Sequence, residues 1–248
     1  MKCYENKELV TEIIRRLSVK ERRKGQYMVT RLVCCPRKTF YKFTGVPEIR
    51  TDEFELILAR GKGHHGALEV FETREIELKK VADCGITVYG DVDMKDDRFI
   101  EVFTTNVSSN KVPEGDAEAA AEVFPIKFRQ LGTYCNMGEQ KAGDLLIFFL
   151  MGNYSRFTEI LGRKVYTGIK PNLRAFTYNF EEVQLSSFWR RVNINLEEIE
   201  LGRKTGIPPA CCGEKFECNY CGYAYTCLGQ EVIAEIKDEI PFTEADLK

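Results

Sequence analysis

The spacing of apolar residues divides the chain into helical and extended stretches. Leu9, Ile13, Ile14 and Leu17 recur at helical intervals and predict an amphipathic helix from about Glu5 to Arg23. A second helix is expected around Cys34 to Tyr41, and a third from Phe54 to about Thr73. Gly61, Gly63 and Gly66 weaken the third helix and point to close backbone packing there. From Glu75 to Thr105 the period falls to two. Ile86–Asp93 and Arg98–Thr104 read as neighbouring strands joined by a turn at Lys95-Asp96-Asp97. After a polar loop from Asn106 to Gly115, Pro125 should open a helix that runs to Met137 and stops at Gly138, because proline fits a first helical turn and breaks an interior. Asp144–Met151 and Lys164–Phe180 give further strands, Glu181–Lys204 a long helix, and Val232–Ile240 a last one. This order predicts a mixed α/β core with a helical lobe.

Composition narrows the setting. The 248 residues are 44% hydrophobic, enough for a sizeable core, so a single domain spanning 1–248 with an appended lobe is expected. The longest apolar run, Leu145 to Met151, is much too short to span a membrane, and no signal peptide is visible before Lys20. Ten cysteines without an export signal suit a cytoplasmic chain whose thiols are reduced or metal-bound. A net charge of −2 gives no global attraction to nucleic acid, so such a partner would need a local basic groove.

The densest chemistry lies at Cys218-x-x-Cys221-x5-Cys227, which follows Pro208-Pro209. Two thiols three residues apart can face one metal across a turn, and Gly222 helps the chain reverse. Zinc and iron–sulphur clusters both usually take four such ligands, and the spare thiols are Cys211, Cys212 and the distant pair Cys34-Cys35. A distant fourth ligand would clip the two ends of the chain together.

Three weaker signals precede it. Side chains two apart on a strand share a face, so Asp91 and Asp93 point one way, and Glu101 shares its face with Phe103. Carboxylates on adjacent strands can converge on a hard cation such as magnesium or manganese; solvent-facing strand ends are the plainer reading. The only histidines, His64 and His65, are adjacent on the glycine-spaced helix and offer imidazole ligands. Lys127, Gln130 and Tyr134 share one helix face beside the stripe Phe124, Phe128, Leu131 and Cys135. That trio looks into a cleft or forms an ordinary wet edge.

Taken in order, Cys35-Pro36-Arg37, Gly61-x-x-x-His65, Gly90-x-x-Asp93, Glu101, Gln130-x-x-x-Tyr134 and the cysteine motif resemble the RecB-like branch of the PD-(D/E)XK nucleases. Within it the chain looks most like the iron–sulphur exonucleases of CRISPR adaptation, the fourth Cas family. The match runs from about residue 30 to 230. The resemblance implies a restriction-endonuclease-like α/β fold: a mixed central sheet flanked by helices, with a helical iron–sulphur lobe. Its parts would be an N-terminal helical lobe (1–60), a nuclease core (61–206) and an iron–sulphur segment (207–230) closing back on Cys35. It further implies a 4Fe–4S cluster on Cys35, Cys218, Cys221 and Cys227, and a divalent ion on His65, Asp93 and Glu101. Gln130 and Tyr134 would place a DNA strand, and Arg37 would line the groove. DNA, particularly single-stranded ends, and CRISPR integrase proteins are the partners it suggests; self-association stays open.

One position departs from the family. The glutamate is normally followed two residues on by a lysine that polarises the attacking water; here that residue is Phe103. Lys127 and Lys95 are the candidates to supply the ammonium, with Lys127 preferred because it shares a face with Gln130 and Tyr134. Two expectations follow: a metal-dependent DNA exonuclease using Asp93, Glu101 and Lys127, or a catalytically silent DNA-binding or assembly subunit.

Overall fold

The computed structural model describes residues 25–49, 76–152, 157–166, 172–211, 217–218 and 221–228. The helices expected at 5–23, 54–73 and 232–240 lie outside these residues, as do His64, His65 and Cys212.

The chain groups into two compact units: residues 26–33 with 58–194, and residues 1–25 with 34–57 and 195–248. In the larger unit, β1 (Tyr27–Met28) and α1 (Val29–Leu32) are followed by β2 (Ile76–Val81), β3 (Thr87–Val92), β4 (Met94–Lys95) and β5 (Phe99–Thr105). Helices α3 (Ala117–Val123) and α4 (Pro125–Met137) lead to β6 (Ala142–Phe149), β7 (Phe157–Ile160), β8 (Arg163–Tyr166) and β9 (Asn172–Asn179). The smaller unit holds α2 (Pro36–Phe43) and α6 (Ala224–Leu228), and the chain passes into it along α5 (Glu182–Thr205).

The strands form a three-stranded sheet ordered β1-β3-β2, a four-stranded sheet ordered β4-β5-β6-β9, and the β7–β8 hairpin. Both larger sheets are mixed. β1 runs parallel to β3 and β2 antiparallel to it; β5 and β6 are parallel, while β9 is antiparallel to β6. This is the α/β class expected from the sequence, with mixed sheets flanked by helices.

One sequence expectation is corrected. β3 and β5 are not hydrogen-bonded neighbours in a hairpin. β3 pairs with β2 and β1, and the edge of β5 is taken by the two-residue β4. A period of two fixes which face a side chain occupies but not which strand lies alongside. The chain breaks its ladder at Asp93, and the two strands end in different sheets.

The parallel β5–β6 pair needs a crossover, and α4 supplies it. The helix opens at Pro125, and Gly138 N–H bonds back to Tyr134 O at 2.9 Å as the helix ends. It packs on β5 and β6. Gly143 is what lets it approach: a Cβ there would meet Leu131 Cδ1 at 2.8 Å and Cys135 Sγ at 2.9 Å. Along β6 every second residue is buried, which puts Gly143, Leu145, Ile147 and Phe149 in register with Phe99, Glu101, Phe103 and Thr105 of β5. Glu101 therefore lies between Phe99 and Phe103 beneath a helix.

In the smaller unit, Phe40, Tyr41 and Tyr223 form the core, with Val46, Cys221 and Cys227 against it. Gly206, at φ +75°, donates its N–H to Gly202 O and ends α5 in the left-handed conformation that glycine adopts without a Cβ penalty. Among the described residues no helix is long and apolar enough to cross a membrane.

Candidate functional site

The larger unit gathers most of the predicted catalytic residues. Asp93 lies just past the end of β3, where Oδ2 accepts the N–H of Val102 at 2.8 Å. Met94 pairs with Ile100, so the carboxylate takes over the edge of β5 just before β4 begins, at the residue that follows Glu101. Glu101 is 2% exposed. A carboxylate held that far from water needs a cation or several donors, since desolvation penalises its charged form. Lys127, on the first turn of α4, supplies one: its Nζ donates to Glu101 Oε1 at 2.7 Å.

The contact continues along the helix. Lys127 Nζ also donates to Gln130 Oε1 at 3.2 Å, and Gln130 Nε2 donates to Tyr134 Oη at 3.0 Å. The order of donors is chemically forced. An ammonium can only donate, so the amide must present its oxygen to Lys127 and its NH2 to the tyrosine. Gln130 is buried, and so is Tyr134 at 0% exposure. The trio is thus an inner seam running from Glu101 into the core, not the wet edge of an amphipathic helix. Burial, then the negative charge of Glu101 and further that of Asp93 and Asp91, holds the Tyr134 hydroxyl well above its usual range, against the opposing hydrogen bond from Gln130. The phenol stays protonated and feels all three carboxylates.

Sequence patterning did not show what seats this tyrosine. A Cβ on Gly90 would stand 2.7 Å from Tyr134 Cε1 and 3.0 Å from Cδ1, so only glycine leaves room for the ring. Phe103, where the sequence resemblance would place a lysine, is buried with its ring edge-on to Phe124 at 5.0 Å. Lys127 Nζ lies 5.6 Å from the Phe103 ring centroid. The aromatic floor and the Glu101 carboxylate therefore hold the same ammonium. Lys95, the other candidate, sits instead over the Phe99 ring at 5.5 Å.

Among the described residues no group of three His, Cys, Asp or Glu side chains is placed to hold a metal ion. An ion held by Asp93 and Glu101 would need a further ligand, a part that the sequence resemblance gives to His65, outside these residues.

The smaller unit holds a separate constellation. Cys35, Cys211, Cys218, Cys221 and Cys227 line one pocket, together with Arg37, Lys38, Tyr41, Glu217, Tyr223 and Ala224. Cys221 N–H donates to Cys218 O at 3.1 Å. Gly222 fits against Glu48 and Ile49, and its carbonyl accepts the Ile49 N–H at 2.8 Å. Cys35 N–H donates to Glu217 Oε2 at 2.8 Å. Burial pushes the Cys218 thiol up to about 12, with Cys211 and the other thiols adding to it, and burial also raises Cys221 and Cys227. Thiols crowded like this gain by binding a cation, which replaces their protons.

Arg37 belongs to this pocket. Its Nε donates to Pro209 O at 2.6 Å and its Nη1 to Cys227 Sγ at 3.3 Å. The structure thus commits two donors of a residue assigned to DNA to the thiol pocket. Cys211 is the member that the sequence left among the alternatives.

No family model and no curated protein matches the chain. In overall fold the chain is similar to SSO0001. Its crystal structure aligns at a TM-score of 0.51 and 16% identity, covering 90% of this chain and 96% of SSO0001. An alkaline exonuclease, LHK-Exo from Laribacter hongkongensis, aligns at 0.38 and 15% identity over 74% of this chain and 95% of its own, too loosely to carry an argument. SSO0001 therefore bears on the fold, and the chemistry has to be read from the residues above.

Proposed function

We propose that this chain is a divalent-metal-dependent DNA nuclease that hydrolyses phosphodiester bonds, with single-stranded ends as its preferred substrate. The observation that carries the reading is the Lys127–Glu101 contact at 2.7 Å. It supports a lysine from α4 working where Phe103 cannot. Asp93 and Glu101, with His65, would hold magnesium or manganese; hard oxygen donors suit such ions. The chemistry an ion supplies there is a more acidic water and a sink for charge at phosphorus. Lys127 would orient the attacking water and donate to a phosphoryl oxygen as charge develops. Gln130 and Tyr134 would hold the ammonium in line, acting on the strand through Lys127.

In the smaller unit, Cys35, Cys218, Cys221 and Cys227 would hold a 4Fe–4S cluster. The four thiols line a common pocket, and thiolates are the donors that such clusters take. A place in CRISPR adaptation, beside integrase proteins, rests on the sequence resemblance.

A second reading is a silent DNA-binding or assembly subunit. Phe103 and the Lys127–Glu101 pair, which gives Glu101 Oε1 a cation of the protein's own, favour it. The test is manganese-dependent degradation of end-labelled single-stranded DNA by anaerobically purified protein, with Asp93→Ala and Lys127→Ala alongside. Degradation by the wild type alone is expected. Full activity of Lys127→Ala would remove the lysine's assigned role. Binding without degradation by all three would favour the silent subunit.

A further inference from the structure

Four thiols suffice for a four-ligand centre, yet among the described residues five line the pocket of the smaller unit. The fifth, Cys211, is in hydrogen-bonding contact with both Cys218 and Cys227. Its position is anchored. Arg37 on α2 grips the chain at Pro209 O, two residues before Cys211, and holds Cys227 Sγ with the same guanidinium. One side chain thus ties the segment carrying Cys211 to a motif thiol. Cys35 is held in another way, by its backbone N–H on the Glu217 carboxylate.

We infer that Cys211 is an exchangeable fifth donor of this thiol centre, able to take the coordination position of Cys35 when that ligand is removed. The inference rests on the thiol-bound cluster proposed above. A thiol already touching two ligating sulphurs can donate to them while four others bind the centre. It can move into a vacated position with little rearrangement of a chain that Arg37 already fixes. Soft sulphur donors of one kind are interchangeable in this role where geometry allows.

The test uses the full chain expressed anaerobically as wild type, Cys35→Ser, Cys211→Ser and the double variant. Iron, acid-labile sulphide, zinc and visible absorbance are measured per chain. Cys35→Ser is expected to keep most of its metal with an altered spectrum, whereas the double variant is expected to lose nearly all of it. Cys35→Ser as empty as the double variant would overturn the inference. A rate measurement covers the case in which Cys35→Ser fails to fold. Cys211→Ser should start with full metal content and release it to a chelator about tenfold faster than wild type, the scale on which outer-shell partners act; an unchanged release rate would overturn the inference. Wild type that takes up neither iron nor zinc would defeat the underlying cluster reading as well.

Discussion

Replacing Lys127 with methionine keeps most of the stem that lies over Phe103 and removes only the ammonium. Glu101, 2% exposed, would then be left buried without the cation 2.7 Å away. Removing one partner of a fully buried ion pair costs about 3–5 kcal/mol. The lysine side chain is 31% exposed, so water can partly replace it, and the loss is discounted to about 2–3 kcal/mol. Neutralising the carboxylate as well removes the stranded charge. Glu101→Gln/Lys127→Met should therefore lose only about 1 kcal/mol, the scale of one ordinary hydrogen bond. The double variant should be more stable than Lys127→Met alone, reversing what additivity demands. The assay is urea unfolding in a metal chelator, followed through the single tryptophan. Trp189 lies in the same compact unit, with Lys80 Nζ 4.9 Å from its ring centroid, and its emission reports that unit. A double variant as unstable as Lys127→Met, or worse, would refute the claim that Lys127 stabilises the buried Glu101 carboxylate.

Further outcomes follow from the same geometry. Gly90→Ala should cost about 1–3 kcal/mol by overpacking Tyr134, in the same urea assay, and should lower nuclease activity through the Gln130–Lys127 seam. Phe103→Lys alone should destabilise without raising activity, because it breaks aromatic packing and sets a second ammonium beside Lys127; in the Lys127→Met background it should restore part of the DNA degradation. Burial, with Asp144 adding to it, pushes the Cys135 thiol from 9.0 up to about 12, and burial with Asp116 pushes Tyr178 from 10.0 to about 12. The folded chain then holds protons that the unfolded chain releases. Stability is kept below about pH 9 and falls as pH rises toward 12, which urea midpoints read across that window will check. At pH 8 a thiol reagent should label exposed Cys84 promptly and leave Cys135 intact until the chain unfolds.

The helix Pro125–Met137 was legible because proline and glycine bound it and its apolar stripe is regular. The long helix at 182–205 and the strand at 142–149 were legible on the same local grounds. The partner of each strand was not. Asp93 ends one ladder and caps another, and nothing in the alternation of Ile86–Asp93 distinguishes that from a hairpin. The shared face of Lys127, Gln130 and Tyr134 was readable, but its burial was not. It depends on a parallel β5–β6 crossover that lays α4 over Glu101, a tertiary fact. The weak signal for it was the carboxylate itself, set between Phe99 and Phe103 in a strand whose alternate positions are apolar. For Cys211 the signal was proximity in sequence to three motif thiols; what the sequence did not show is that it lines their pocket.

The bond from the Val102 amide to Asp93 also bears on ion choice. One carboxylate oxygen accepts an N–H at a strand edge, which fixes the orientation of Asp93 and disfavours its binding an ion through both atoms at once. Calcium favours crowded, flexible shells of about six to eight oxygens, commonly with carboxylates binding through both atoms. Magnesium and manganese accept single-oxygen ligands and suit octahedral oxygen sites, with magnesium keeping several of its waters. A backbone repair at the edge of a sheet would thereby bias this site toward small ions that arrive still hydrated, before any nucleic acid is present.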